Sequence, residues 1–514
     1  MSDSNYRIGI DVGGTFTDIV AVSDEGTVVF SKAPSTPADP SIGVMDAIER
    51  LSHELETDSA GLLSRTERIV HGTTVATNAL LERKGAKTGL LTTIGHRDVL
   101  EMREGLKEDR YNMRLAAPET LVPRYLRLGV KERIRPDGSV HIPLDNRSLD
   151  AAIEKLREAK VTSIAVCYLH AYKEAKHEKE TRSRIESKLP GVSVSLSSEV
   201  FPEIKEYERV STTVVNAYVR PVVEKYLRKL GDRLSDTGYI GPVLIILSHG
   251  GVAPIDEAVR LAAGTVLSGP AGGVAGSRYG SSLIGAENLV PFDMGGTSTD
   301  ISMIVNGEPA LSSTRGIAGQ RVALQSLDIV SIASGGGSIA RVDNGGILRV
   351  GPESAGAVPG PACYGKGGKE VAVTDASVVL GFLDPNNFLG GRESLDKEAA
   401  DAAVDKLAAK LSVSTAEAAE GVHRVINTQM AEGIRLVSVR RGVDPRKFAL
   451  LSFGGAAGIH IPEIARQLEV GRVVVPRTAA VLSAWGMLAT ALRYEVSRTH
   501  IGDAGSLEAN SVCQ

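Results

Sequence analysis

Asp11-Val12-Gly13-Gly14-Thr15-Phe16-Thr17-Asp18 returns in the second half of the chain as Asp293-Met294-Gly295-Gly296-Thr297-Ser298-Thr299-Asp300, with six of eight positions the same. Each copy joins two apolar stretches. Tyr6 to Val12 enters the first and Phe16 to Val22 leaves it, while Val290-Pro291-Phe292 enters the second and Ile301 to Val305 leaves it. Both therefore read as strand-turn-strand hairpins, and each opens one half of the chain, the pattern of an internal duplication. The residue types suit one chemistry. Two glycines let the backbone turn tightly, and their N–H groups can face a single anion. Thr15, Thr17, Thr297 and Thr299 add hydroxyl donors. An aspartate beside bound phosphate repels it unless a divalent cation lies between, so Asp11 and Asp293 point to Mg2+ held by carboxylates, water and phosphate oxygens. Two such turns can grip a nucleotide's phosphates from both sides. The plain alternative is two hairpin turns with polar punctuation.

Working outward, the spacing predicts a helix from about Pro40 to His53, a strand Arg68–His71, and a Gly72-Thr73-Thr74 turn that opens a helix Val75–Lys84. A region from about 95 to 200 begins with a charged stretch, Arg97 to Arg114, and then alternates helix and strand. A long helix follows from about Glu208 to Leu234. In the second half, Gly335-Gly336-Gly337 reads as a close-approach loop. The run Gly454-Gly455-Ala456-Ala457-Gly458, between strand Phe448–Phe453 and a helix at His460, can pass under a nucleoside or present a helix start to an anion. An apolar helix is expected over Ala479–Leu492. These readings divide the chain into a first half, 1–200, with an inserted α/β region at about 95–200; linking helices and a Gly-rich segment, 201–288; a second half, 289–500; and a loose tail, 501–514.

Composition narrows the function. The 514 residues hold 58 Lys plus Arg against 62 Asp plus Glu, a net charge of −4, which argues against a basic nucleic-acid binder. Aromatic residues at 4% argue against base-stacking platforms. Three scattered cysteines, Cys167, Cys363 and Cys513, form neither a disulfide framework nor a zinc motif and fit a reducing cytoplasm. The first residues lack a basic and apolar leader. The most apolar stretch, Thr478 to Leu492, falls short of the ~20 residues of a membrane span.

Seven stretches occur in one order: Asp11–Asp18, His71–Asn78, Ser268–Gly273, Asp293–Asp300, Gly335–Ile339, Thr374-Asp375-Ala376 and Phe453–Ala456. That order resembles the hydantoinase A, 5-oxoprolinase and acetone carboxylase family, over about residues 6 to 495. The resemblance implies an α/β fold of two duplicated actin-like (ribonuclease H-like) ATPase domains, with the nucleotide cleft between them. It implies ATP and Mg2+ as cofactors. Gly13, Gly14, Thr15, Thr17, Gly295, Gly296, Thr297 and Thr299 would hold phosphate. Gly454, Gly455 and Ala456 would lie towards the nucleoside, and Gly336 and Gly337 would also bind the cofactor. Asp11 and Asp293 would be the catalytic, metal-binding carboxylates, with Asp375 as a further metal residue. Thr73, Thr74, Asn78 and Arg103 are the substrate-side candidates. For function it implies phosphorylation of a cyclic amide's carbonyl oxygen for ring opening with a hydantoinase B-type subunit. A ketone carboxylase subunit, an actin-like nucleotide switch and a sugar kinase are the competing readings. Neither nucleic acid nor a membrane is expected as a partner.

The chain also departs from the family. Many members read Asp-Ile-His before the triple glycine, where this chain has Asp328-Ile329-Val330. Many read Gly-Pro-Leu-His after the adenosine-side motif, where it has Ala457-Gly458-Ile459-His460. Relatives often carry Gln-Ser-Asn/Asp-Gly-Gly where it has Leu247-Ser248-His249-Gly250-Gly251. Typical members continue into a further C-terminal domain beyond the position of Leu492. Arg97, Arg103 and Arg114 can pair with a substrate carboxylate or sit on a solvated loop. Cys363 as a nucleophile would need a base partner.

Overall fold

The computed structural model describes residues 4–105, 109–116, 119–388, 391 and 393–499. The expected tail, 501–514, lies outside them.

Both repeated stretches form hairpins. Strand Tyr6–Val12 pairs antiparallel with Phe16–Ser23, and Leu289–Met294 with Thr299–Ile301. Register sets Asp11 opposite Asp18 and Asp293 opposite Asp300. The sheets around them repeat the same order. In the first, Tyr6–Val12 lies between its hairpin partner and the parallel strand Thr66–Thr73; beyond these come Val28–Pro34 on one side and Val243–Ile246 on the other. In the second, Leu289–Met294 lies between its hairpin partner and the parallel strand Ala449–Phe453, with Val330–Ile332 and Val473–Val474 beyond. The short antiparallel strand Val252–Pro254 extends the first sheet beyond Val243–Ile246, and in the second Ile304–Val305 pairs with Leu289 at the start of the central strand and with Glu308–Pro309 on its other side. The central parallel strands are apolar on both faces because helices cover them. Ile8, Ile10 and Ile69 are buried in one core, and Val290, Phe292 and Leu450 in the other.

A third sheet, four strands and wholly parallel, is built from Thr88–Thr93, Arg127–Val130, Ser163–Cys167 and Ser193–Leu196. The 31-residue helix Glu206–Asp236 packs against this sheet near its start. Farther along, its Tyr226 hydroxyl lies 2.8 Å from His71 Nε2 on the first sheet.

The expected helix over Ala479–Leu492 is shorter. A turn at Ala479–Val481 leads into a helix that spans Leu482–Met487 only. This segment packs against the glycine-rich helix Gly269–Ile284 and the strand Tyr6–Val12. A Cβ on Gly486 would stand 2.6 Å from Gly276 Cα, so the two helices cross backbone to backbone. The apolar run is spent on that crossing. The chain then leaves the helix, and Leu492 bridges to Val252. Among the described residues no helix is long and apolar enough to cross a membrane.

Candidate active site

The tips of the two hairpins are their exposed parts: Gly14, Thr15, Gly296 and Thr297 are open to solvent. A Cβ added at Gly14 or Gly296 would meet nothing within 4 Å. Protein packing therefore does not demand glycine there, and the missing side chain leaves room for something else to approach the backbone.

Behind the tips the carboxylates crowd. Asp11 Oδ1 is buried without a hydrogen-bond partner. Burial, with the Asp18 carboxylate adding to it, pushes Asp11 up to about 7, against the pull of Lys32. Burial also raises Asp18, again opposed by Lys32. Asp293 stands well above the usual carboxylate range because it is buried, and Asp300, Asp11 and Asp18 add repulsion. The electrostatic coupling of Asp11 with Asp293 joins the two hairpins in one site. A repelled, desolvated carboxylate pair with an orphaned oxygen on Asp11 is what a divalent cation would relieve. Among the described residues no group of three or more His, Cys, Asp or Glu side chains forms a metal cage. A cation here would need ligand oxygens beyond the protein's own, and phosphates with water supply those.

The flanking loops match as well. Gly72 is paired in register with Asp11, and a Cβ on it would lie 3.1 Å from Asp11 Oδ1. Phe453 is paired with Asp293. The next residue, Gly454, has φ +87, and a Cβ there would stand 2.9 Å from the Met294 carbonyl carbon and closer still to Asp293 Oδ1. Ala456 N donates to Met294 O at 3.0 Å, and Gly455 has open space where a side chain would be. Gly336 and Gly337 donate to Gly295 O and Gly296 O at 3.1 and 2.6 Å, so the triple-glycine loop forms a second backbone layer under the second tip.

Several expected residues do other work. Thr17 is fully buried, its hydroxyl 3.2 Å from Ser35 Oγ. Thr299 is fully buried and donates to Ser334 O at 2.5 Å. Both threonines tie the hairpin to its next strand rather than facing the tip, because strand alternation turns them inward. Asp375 is a second correction. Its carboxylate accepts Cys363 N at 2.8 Å, Ala362 N at 3.2 Å and Ala372 N at 2.8 Å, so both of its oxygens are engaged in organising the Gly/Pro loop rather than facing a metal. Cys363 is buried, and burial pushes its thiol far up, which removes the nucleophile reading.

On the substrate side, Thr73 is buried, and its hydroxyl accepts Val75 N at 3.3 Å. Thr74 lies beside the cleft: a Cβ on Gly269 would be 3.9 Å from Asp11 Oδ1 and 4.0 Å from Thr74 Cγ2. Asn78 is exposed and donates to Thr74 Oγ1 at 3.3 Å. Arg103 is away from the cleft. It donates to Gly319 O at 2.8 Å and lines a hollow with Glu206, the first residue of the long helix. Tyr226, which meets His71 by the cleft, is 226 − 206 = 20 residues farther on, about 30 Å along the helix. His460 is a packing residue. Its Nδ1 is 2.8 Å from Asn427 Oδ1 and its ring stacks on His423 at 4.8 Å. His249 is held at about 4 by burial, with Arg493 adding to it, and its Nδ1 accepts Gly251 N at 3.0 Å.

Sequence reasoning missed Lys32 and Ser35. Lys32 Nζ is 2.7 Å from Asp18 Oδ1 and 2.8 Å from Ala480 O. Ser35 Oγ donates to Gly13 O at 2.8 Å. Lys32 lies in the weakly patterned strand Val28–Pro34 and Ser35 directly follows it, and only the register of that strand with Phe16–Ser23 brings them to the hairpin.

The family description Hydantoinase/oxoprolinase matches residues 209–496, and Hydantoinase/oxoprolinase N-terminal region matches residues 7–189. The chain belongs to the hydantoinase/oxoprolinase family. The caprolactamase subunit alpha of Pseudomonas jessenii is 40% identical over 498 residues, 96% of this chain and 72% of that protein. The acetophenone carboxylase gamma subunit of Aromatoleum aromaticum is 37% identical, covering 94% and 68%. The 5-oxoprolinase 1 of Arabidopsis thaliana is 35% identical, covering 94% of this chain and 41% of that longer protein. Among solved structures, the ATP-dependent caprolactamase of Pseudomonas jessenii superposes with a TM-score of 0.84 at 39% identity, over 95% of this chain and 71% of that one. Acetone carboxylase, nucleotide-free, superposes with 0.83 at 30% identity, over 95% and 70%. The duplicated α/β architecture is thus shared with ATP-dependent enzymes of the hydantoinase/oxoprolinase family.

Proposed function

We propose that this chain is the ATP-dependent subunit of a hydantoinase/oxoprolinase-type amidohydrolase. It phosphorylates the carbonyl oxygen of a cyclic amide, such as a hydantoin, a lactam or a 5-oxoproline-like ring. A hydantoinase B-type partner subunit then completes ring opening. The observation that carries this reading is the pair of matched hairpins, with Asp11 and Asp293 both raised by desolvation, Asp11 adding repulsion to Asp293, and Asp11 Oδ1 without a partner, behind two open glycine tips. The 40% identity to a caprolactamase subunit directs it towards cyclic amides.

The chemistry follows from the substrate's weakness. An amide carbonyl is a poor electrophile, and a phosphoryl group on its oxygen makes the carbon open to water. The work left to the protein is positioning and charge neutralisation. Gly13, Gly14 and Thr15 in one hairpin, and Gly295, Gly296 and Thr297 in the other, would hold the phosphates. Gly336, Gly337, Gly454, Gly455 and Ala456 would border the nucleoside. Asp11 and Asp293 would hold Mg2+, which supplies positive charge to the phosphates. Thr74 and Asn78 remain as substrate-side residues.

A ketone carboxylase subunit is the second reading. The acetophenone carboxylase gamma subunit and the acetone carboxylase structure favour it. The two share the phosphorylation step and part at the acceptor. The test is ADP release by the chain co-purified with its co-expressed partner. Stimulation by lactams or hydantoins supports the amidohydrolase. Stimulation by ketones only when bicarbonate is present replaces it with the carboxylase. No stimulation by any acceptor, with tight nucleotide binding, contradicts both and leaves a switch.

A further inference from the structure

The two hairpins differ in the residue that faces their last aspartate from the next strand. In the second half this residue is Ser331, paired in register with Asp300, whose Oδ1 accepts its hydroxyl. In the first half it is Lys32, paired in register with Asp18 and 2.7 Å from its Oδ1. A hydroxyl brings no charge, whereas an ammonium does. Lys32 is the cation that opposes the rise of Asp11, Asp18 and Asp293 alike.

Lys32 also reaches across the molecule. Its Nζ donates to Ala480 O at 2.8 Å. Ala480 belongs to the turn Ala479–Val481, and Ala479 O accepts Gly454 N at 3.0 Å. Gly454 is the glycine pressed against Asp293. One side chain therefore connects the foot of the first hairpin to the loop beside the second hairpin's carboxylate. An ammonium has three N–H donors. Asp18 and Ala480 take two of them.

We propose that Lys32 is a positioning residue for phosphoryl transfer. It ties the closing of the two halves around nucleotide to the placement of Asp18 and its neighbour Asp11. Ser331 gives the second half no equivalent on its third strand: the cation that opposes the rise of Asp300 there is Arg315, whose guanidinium donates to Ile329 O at 2.8 Å. The proposal rests on the reading of the cleft as an ATP site. The hairpin tips, not Lys32, supply most of the grip on phosphate, so losing Lys32 costs turnover more than nucleotide affinity. This is the behaviour of a group whose work is done in the transition state.

The test uses the chain co-purified with its partner. Lys32→Met keeps the alkyl stem and removes the charge; Lys32→Arg keeps a cation. Three quantities are read: Mg·ADP affinity by calorimetry, acceptor-stimulated ATP turnover, and hydrogen exchange across residues 477–484 with and without Mg·ADP. In Lys32→Met, kcat should fall about 100-fold while ADP affinity and KM for ATP stay within about threefold. Nucleotide should protect 477–484 in the wild type and fail to do so in Lys32→Met. Lys32→Arg should recover kcat to within about tenfold of the wild type. Wild-type kcat in Lys32→Met overturns the proposal, as does an equal loss in both variants with a lowered melting temperature. If Lys32→Met does not fold, Asp18→Asn takes its place, and wild-type kcat there overturns the proposal too. Wild-type protein that binds neither ADP nor ATP strikes down the ATP reading of the cleft, and this proposal with it.

Discussion

Asp11–Asp18 and Asp293–Asp300 share the same burial pattern residue by residue. Each also has the same inner hydrogen bond, from Gly13 N to Phe16 O and from Gly295 N to Ser298 O, at 3.0 Å in both. What surrounds them differs. The first hairpin is backed by side chains: Lys32 on Asp18, and Ser35 on Gly13 O and Thr17. The second is backed mainly by backbone. Gly335 lies so near that a Cβ on it would stand 2.7 Å from Gly296 C and O, and Gly336 and Gly337 donate to the tip's carbonyls. The comparison separates two jobs. The hairpin sequence dictates a tight turn with an open glycine tip, and the third strand decides whether the aspartate behind it meets an ammonium or a hydroxyl.

The largest expected effect tests whether the halves act as one site. Asp11→Asn and Asp293→Asn should each cut ATP turnover by about 1,000-fold or more, with Mg·ADP affinity changed by less than about tenfold. Steady-state kinetics with calorimetry reads both quantities. A large loss in one variant and none in the other would break the pairing.

Next comes stability against pH. The folded pKa of Asp11, about 7, lies above its ordinary value of 3.8. The folded state therefore holds a proton that the unfolded state releases. Stability from this group is present below about pH 4 and drains away as pH rises through about 7, by up to about 4 kcal/mol. Urea unfolding of nucleotide-free protein at pH 5 and pH 8 should show the drop. Asp11→Asn should reduce it, so that the variant gains stability relative to wild type at pH 8 while losing turnover. A wild-type slope retained in Asp11→Asn would remove Asp11 as its source.

Glycine substitutions sharpen the contrast between tip and support. Gly14→Ala and Gly296→Ala meet open space, so the melting temperature should hold while nucleotide affinity falls about 10- to 100-fold. Gly335→Ala meets backbone and should cost about 1–3 kcal/mol of stability. The smallest effect is Ser331→Ala. It removes one hydrogen bond to Asp300 and should slow turnover only a few-fold, far less than Lys32→Met. Equal losses at Lys32 and Ser331 would erase the asymmetry.

The hairpins and the flanking glycine loops were legible because turn chemistry and apolar runs are local signals. Thr17 and Thr299 were legible in principle. Each shares a strand face with buried residues, Thr17 with Ile19 and Thr299 with Ile301, and that alternation marks them as inward. Asp375 was not legible, because an acid in the first turn of a helix looks the same in sequence whether it holds metal or three backbone N–H groups. The helix ending at Met487 was hidden for a similar reason: the crossing at Gly276 and Gly486 depends on two segments far apart in the chain. Lys32 meets Ala480 across 448 positions, and nothing local to either residue announces it.

The most direct measurement follows the carbonyl oxygen. A cyclic amide that stimulates ADP release is prepared with 18O in its carbonyl and turned over by the chain with its partner. If the oxygen is phosphorylated and leaves on phosphate, the released inorganic phosphate carries one 18O. Ring opening with ATP consumed, all label retained in the new carboxylate and none in phosphate, would contradict the account.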